Sequence, residues 1–242
     1  MKINEATYED SGKGKDRNIY TTLECAIENK SENTVEMTKG SVLLLDEGGV
    51  VIGNDADRED DSYAETNETY SVSYSPYIDN PNHVGDVSKM KAIIDVTSFR
   101  REFFKLGEYD CPKDPANPVK STFEKQTGDI RIHGVYIFQR EPYEDAKPGD
   151  DVTTEVRVYV RNIGDKFIEK VKAKVQLLDK EEATVESNED YRSIPPSASD
   201  VLMPSVYAKP GKLKGATIKV SLSIYYALDH FHAEEALTER TD

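Results

Sequence analysis

The sequence is poor in the residues from which catalytic and covalent sites are built. Its 242 residues include two cysteines and four histidines. Two cysteines cannot make a disulfide framework. Cys25 alternates with Leu23 and Ile27 in "TTLECAIEN", which predicts a small inward-facing core residue. Cys111 lies in the loop-like "YDCPKDPANP". Both are expected as free thiols, with a Cys25–Cys111 bond as the lesser alternative. The sequence contains no G-x-S-x-G elbow, phosphate-cradling glycine loop, H-E-x-x-H or C-x-x-C. We therefore expect neither an enzyme nor a resident cofactor.

Long apolar runs are also missing. No stretch of about 18 apolar residues exists to cross a membrane as a helix. The opening "MKINEATYEDSGKGK" lacks the apolar core of about 7–15 residues that a secretory signal needs. This points to a cytoplasmic protein, or to a secreted one if the chain is a truncated piece. Positive charge is scarce: 31 Lys and Arg stand against 46 Asp and Glu, giving a net charge of −15. Such a charge repels nucleic acid and anionic membranes and favours a basic partner or a cation. No contiguous block of Lys and Arg reverses it. Hydrophobic residues make up 37%, below the usual share of about 45–50%. That suits two small modules with thin cores better than one bulky core.

What the sequence does have is alternation, and a repeat. In "EVRVYVRN", Val156, Val158 and Val160 point one way while Arg157, Tyr159 and Arg161 point the other. Val171, Ala173, Val175 and Leu177 alternate with Lys172, Lys174 and Gln176, and Val220, Leu222, Ile224 and Tyr226 alternate with Ser221, Ser223 and Tyr225. One apolar and one wet face per strand is the pattern of antiparallel sheets packed face to face. The segment "SVLLLDEGG" is echoed by "AKVQLLDKEE", and "IYTTLECAIEN" by "VTTEVRVYVRN". Asp46 and Asp179 are 133 residues apart, as are Asn29 and Asn162. "DEGG" predicts a hairpin turn; "DKEE" predicts a longer turn or one of another type. Between the copies, prolines at 112, 115 and 118 deny a regular helix or central strand.

The expected fold is thus all-β, with two tandem immunoglobulin-like β-sandwich domains. Residues 1–110 form the first, 111–129 a Pro-rich linker with room for an edge strand, and 130–242 the second. The last segment, "DHFHAEEALTERTD", is expected as a short polar helix or a frayed tail. Leu23, Cys25, Ile27, Val42 and Leu44, with Val156, Val158, Val160, Val175 and Leu177, form the expected cores.

Three candidate sites emerge. Asp55, Asp57, Glu59, Asp60 and Asp61 in "NDADREDDS" offer clustered oxygens for Ca²⁺, as a loop site would; the competing reading is a mobile charged loop. His230 and His232 share strand parity and could offer two metal nitrogens, with Glu234 or Glu235 nearby. Tyr70, Tyr74 and Tyr77 in "YSVSYSPY" could form a protein-binding stripe, against the alternative of half-buried core tyrosines. "NKS" at Asn29 and "NET" at Asn67 match the glycosylation triplet, but are expected as turn and strand residues.

The second module, with its turn at Pro148–Gly149, its strand closing on Asn162–Gly164 and the next strand ending at Asp179, resembles prokaryotic immunoglobulin-like modules of the CARDB kind. The first, with "IENKSENTV" and "LLLDEGGVVIG", is similar to the related FxLYD pattern, although Leu43–Leu45 replace the aromatics that name it. The resemblance implies a sandwich fold and a binding or spacing role. Together with the missing catalytic motifs, it sets the expected function: a non-enzymatic module that binds another protein or scaffolds an assembly. A secreted adhesive or carbohydrate-binding module, or a metal protein using residues 54–62, is the alternative.

Overall fold

The computed structural model describes residues 1–12, 16–112, 117–140, 147 and 149–240. It is all-β. The chain divides into two compact units, each a pair of sheets around its own core.

Unit 1 comprises Met1–Arg101 and Ala227–Asp242. One of its sheets is built from β1 (Lys2–Ser11), β2 (Asn18–Glu28) and β5 (Thr69–Tyr74), with the two-residue β16 (Thr238–Glu239) parallel to β1. The other contains β3 (Met37–Leu45), β4 (Val51–Asp60), β6 (Tyr77–Ile78) and the first half of β7 (Lys91–Asp110). Leu23, Cys25 and Ile27 of β2 meet Val42 and Leu44 of β3 and Ile94 and Val96 of β7 in one buried cluster.

Unit 2 is Glu102–Tyr226. One sheet runs β8 (Val119–Thr127), β9 (Ile130–Gln139), β10 (Val152–Asn162), with β13 (Ser199–Leu202) and β14 (Ser205–Ala208) on the far side of β10. The facing sheet holds β11 (Ile168–Leu178), β12 (Thr184–Ile194) and the first half of β15 (Thr217–Ala236). A four-residue turn of helix, α1 (Pro210–Leu213), precedes β15. Val156, Val158 and Val160 pack with Val175, Leu177, Leu222 and Ile224. Every residue expected in the two cores is buried, because strand parity decides the face and a slip of one residue would expose the whole set.

The repeat is visible in hydrogen-bond detail. Asn29 donates through Nδ2 to the carbonyls of Asn33 (2.8 Å) and Ala64 (2.9 Å) and accepts from Ser31 N (3.0 Å). Asn162 donates to those of Lys166 (2.7 Å) and Ile194 (3.0 Å) and accepts from Gly164 N (3.0 Å). The Asn29 amide is thus consumed as a buried turn clamp. Asp46 Oδ1 accepts from Gly48 N and Val50 N at 2.8 and 2.9 Å, and Asp179 Oδ1 from Glu181 N and Ala183 N at 2.9 and 3.0 Å. The two turns are therefore the same, contrary to the expectation from "DKEE". Glu182, at φ +62°, occupies the left-handed position that Gly49 takes at +78°. A side chain there costs about 1–2 kcal/mol, partly offset by the greater unfolded-state freedom of glycine. Glu182→Gly should therefore stabilise the protein by about 0.5–1 kcal/mol, read from the midpoint of chemical denaturation; an unchanged or lower midpoint would contradict this.

The boundaries differ from the tandem expectation. Residues 119–127 of the expected linker form β8, hydrogen-bonded to β9. Pro112 and Pro118 stand outside that strand, where no ladder donor is needed; Pro115 lies outside the described residues, as does Pro148 of the Pro148–Gly149 turn. Nor is the C-terminus a helix or frayed tail. Strand β15 continues to Ala236, Leu228 and Phe231 pack on the unit 1 core, and Leu237 is buried in it. The two 20-residue strands each serve both units, by a matching device. Leu237 N donates to Met90 O at 3.0 Å in unit 1, and Cys111 N donates to Ala216 O at 3.0 Å in unit 2.

Candidate binding face

The acidic segment is a strand, not a loop. Asp55, Asp57, Glu59 and Asp60 lie on β4, and Asp61 follows its end. Alternation and a bulge at Asp57 (φ +56°) spread the carboxylates instead of gathering them. Cations within the chain already face them: Lys39 lies 3.2 Å from Asp57, and Arg58 lies 3.2 Å from Asp60 and 3.9 Å from Asp55. Beyond the short pairing with β6 at Gly53 and Asn54, this edge is lined with charge, which discourages pairing with foreign strands. Adding millimolar Ca²⁺ should therefore leave the melting temperature unchanged. A rise of several degrees that Asp55→Asn with Asp57→Asn abolishes would overturn this reading.

The tyrosines do not form a stripe. Tyr70 and Tyr74 point into the core of unit 1, and only Tyr77 is exposed, at 72%. Burial pushes the Tyr70 phenol up to about 12 and raises that of Tyr74 as well. The Tyr74 ring fills the space over Gly40, where a Cβ would collide with its hydroxyl. Inward parity on β5, with period two, buries both rings; the sequence gives the parity but not which face is the core.

His230 and His232 do share a face of β15. His232 Nδ1 lies 2.8 Å and His230 Nε2 3.4 Å from Asp95 Oδ1, and His230 Nδ1 lies 3.1 Å from Thr97 Oγ1. Glu234 is held by Lys91 at 2.8 Å, and that cation lowers its carboxyl pKa; Glu235 is exposed. Among the described residues no group of three or more His, Cys, Asp or Glu converges as metal ligands would. Cys25 and Cys111 are free and buried, and burial pushes the Cys25 thiol up to about 11, away from reactivity.

The arrangement with the most recognition chemistry lies on the outer face of β8–β9–β10, and the linear sequence hides it. Register sets Lys120 opposite Tyr136 and Tyr136 opposite Arg157. The next row is Thr122, Gly134 and Tyr159; another pairs Arg131 with Arg161. A register shift opposite Tyr159 and Val160 accommodates His133 and Gly134. Such a bulge reverses parity along one strand, so His133 before it and Tyr136 and Phe138 after it all lie off the buried face. Gly134 has φ +144°, and a Cβ there would come within 2.4 Å of Ser121 O. The bare glycine lets the β8 backbone approach closely, and a pit of about 380 Å³ on this face is lined by Lys120, His133, Gly134, Tyr136, Arg157 and Tyr159.

Two cations of this face lie against rings. Lys120 Nζ sits 5.1 Å from the Tyr136 centroid and the Arg157 guanidinium 4.8 Å from that of Phe138, whose ring lies 5.3 Å from Tyr136. One carboxylate is embedded here. Glu155, 2% exposed, accepts from Arg140 Nε at 2.8 Å, from Arg140 Nη2, and from Arg157 Nε at 2.8 Å. Burial alone would raise its pKa, but the two guanidinium groups outweigh burial and lower it. Its contribution to stability is thus complete above the unfolded carboxyl pKa of about 4.3 and is lost as pH falls through the lower folded value. Glu155→Gln should lower the melting temperature at pH 7 and flatten its fall below about pH 4; an unchanged acid limb would show that this carboxylate does not set it.

No protein-family model and no curated protein matches the sequence. Among solved structures the chain is similar to a protein from Archaeoglobus fulgidus, with 12% identity over 40% of this chain and 82% of the other and a TM-score of 0.23. It is also similar to a glycosyl hydrolase family 2 member from Bacteroides cellulosilyticus, with 7% identity over 90% of this chain and 27% of that one and a TM-score of 0.29. A β-glucuronidase from Bacteroides uniformis gives 7% identity, 92% and 27% coverage and a TM-score of 0.30. The chain spans about a quarter of the length of those two enzymes. Likenesses this distant carry no functional argument.

Proposed function

We propose that the protein is a non-enzymatic binding module that engages another protein through the outer face of β8–β9–β10. The observation behind this reading is a set of outward cations in a chain of net charge −15. Lys120, Arg131 and Arg161 make no ion pair among the described residues; they share this face with the exposed Tyr159, and Lys120 lines the pit. Surface cations in an acid-rich chain ordinarily find carboxylates. Cations left without a carboxylate beside exposed aromatic surface are available as anchors for a partner, since interfaces are enriched in Tyr, Phe and Arg. A photo-crosslinking amino acid in place of Tyr159, with the same residue in place of Tyr63 as a control, tests it in extracts of the source cells. A discrete polypeptide captured from position 159 and not from 63 is expected; capture of nothing, or of the same mixture from both, rejects the face.

A groove in unit 1 favours a second reading, the carbohydrate-binding one. Tyr20 and Tyr77, 62% and 72% exposed, border a cleft of about 590 Å³ that also contains Asn18, Asp79 and Asn80. Exposed rings can stack on sugar faces while amides and carboxylates bond hydroxyls. Titration calorimetry of neutral oligosaccharides against wild type and Tyr77→Ala decides it: binding that the substitution abolishes supports a sugar module, and no heat with any sugar dismisses it.

A further inference from the structure

We infer that the face of unit 2 recognises an extended acidic segment of its partner, with one carboxylate seated in the pit above Gly134. This rests on the binding-face reading above and deepens it by naming the chemistry of the occupant.

Charge favours an acidic occupant. The net charge of −15 would predict a basic partner, as the composition alone does. At physiological ionic strength, however, the screening length is about 8 Å. A group that touches the sheet therefore feels the side chains under it rather than the distant acids. Those side chains are Lys120, Arg131, Arg157 and Arg161, with His133 at the rim. The embedded carboxylate, Glu155, is already satisfied by two guanidinium groups. Glu124 lies 3.7 Å from His133, on an exposed side chain. Among the described residues a local excess of positive charge remains on this face.

Shape favours an extended one. Arg157, Tyr159 and Arg161 stand on one face at alternate positions of β10, roughly 6.8 Å apart along the strand. An extended peptide repeats its side chains at the same interval, so acidic residues two and four positions apart would meet this row in phase. The pit lies in the row of Tyr159, opposite Gly134. Tyr136 and Tyr159 line it together with Lys120 and Arg157 of the neighbouring row, cations that would neutralise a carboxylate seated there. Nucleic acid is the weaker occupant. A long polyanion extends beyond the patch into the field of the whole molecule, which is negative.

Fluorescence anisotropy of the full chain tests this with three probes at about 50 mM salt. They are a labelled ten-residue peptide alternating Glu with Ser, a decathymidylate, and inorganic phosphate as competitor. The peptide should bind saturably and weaken steeply as salt rises. Lys120→Glu with Arg161→Glu, two exposed cations that make no ion pair among the described residues, should lose about tenfold or more in affinity with an unchanged melting temperature. Tyr159→Ala should weaken binding without altering its salt dependence. Absence of saturable peptide binding, equal binding by the double variant, tighter binding of decathymidylate, or displacement by phosphate at equal charge would each overturn the inference. Crosslinking from position 159 separates the two failures. If a polypeptide is still captured there by the Lys120→Glu, Arg161→Glu chain, the face binds a partner that is not acidic; if no polypeptide is captured even by the wild-type cations, the face itself is rejected.

Discussion

Val158→Asp should unfold unit 2. Val158 is fully buried in the middle of β10, facing Val135 of β9 and Leu202 of β13 across the ladder. The core cluster it belongs to is aliphatic apart from Cys111, with no cation to pair a carboxylate. A charge placed there without a partner costs at least about 4 kcal/mol, among the largest effects a single substitution produces. A domain margin of about 5–15 kcal/mol leaves little or nothing after that loss. The shared strands add a consequence. Ile218, Val220, Leu222 and Ile224 anchor β15 in the core of unit 2, and Leu228, Phe231 and Leu237 of the same segment close the core of unit 1. When unit 2 unfolds, unit 1 keeps that segment only by its own contacts. Hydrogen exchange should therefore show loss of protection across β9–β12, with faster exchange at Leu237 and Met90 as well. The neighbouring Tyr159→Asp, on the outer face, should cost far less. A Val158→Asp chain with normal thermal stability would mean that the register of β10 is wrong.

Much of this architecture was legible because period two is a local property. Each valine of "EVRVYVRN" declares its face without reference to any other strand, so the cores could be read correctly from the sequence. The long strands were not legible. "DHFHAEEALTERTD" is polar because much of β15 in unit 1 is exposed, and within it only Phe231 and Leu237 pack on the core; two large apolar residues in a charged stretch read equally well as a short polar helix or a frayed tail. The binding face was hidden for a different reason. Lys120, Arg131, Arg157 and Arg161 come from three strands and lie up to 41 positions apart in sequence, so no window along the chain contains a basic block. Outward parity of Arg157, Tyr159 and Arg161 was a usable signal. Its counterpart on β9 was scrambled by the bulge at His133–Gly134, which changes parity halfway along the strand. The acidic segment failed in the opposite direction: carboxylates adjacent in sequence are separated by strand alternation and ion pairs. Proximity in sequence misled where the backbone is extended.

The repeated asparagines should be the most sensitive of the buried polar positions described. Asn162 is fully buried, and its side chain makes three hydrogen bonds: to the carbonyls of Lys166 and Ile194 and from the amide of Gly164. Alanine at this position removes them and strands two acceptors and a donor away from solvent. Lost bonds cost about 1 kcal/mol each, and buried groups left unpaired cost up to about 3 kcal/mol each where water cannot enter. A total near 3–4 kcal/mol follows if one of the three regains water, or roughly 10 °C for a domain of this size. Asn162→Asp sharpens the test. Its carboxylate still accepts from Gly164 N but faces two carbonyl oxygens with no proton to offer, so at pH 7 it should be at least as harmful as alanine. On acidification the acid gains a donor for one of them. The variant should therefore recover stability between pH 7 and pH 5 relative to Asn162→Ala, since a carboxyl in that position titrates above its usual range. Asn29→Ala should cost unit 1 a similar amount, through Asn33, Ala64 and Ser31. If the units melt independently, the double variant shows two lowered transitions whose losses add; strands β7 and β15, each running through both units, predict one shared transition with a loss exceeding either single change. An Asn162→Ala chain that melts within about 2 °C of wild type, or an Asp variant with no pH response, would show that these clamps decorate the turns and do not hold them.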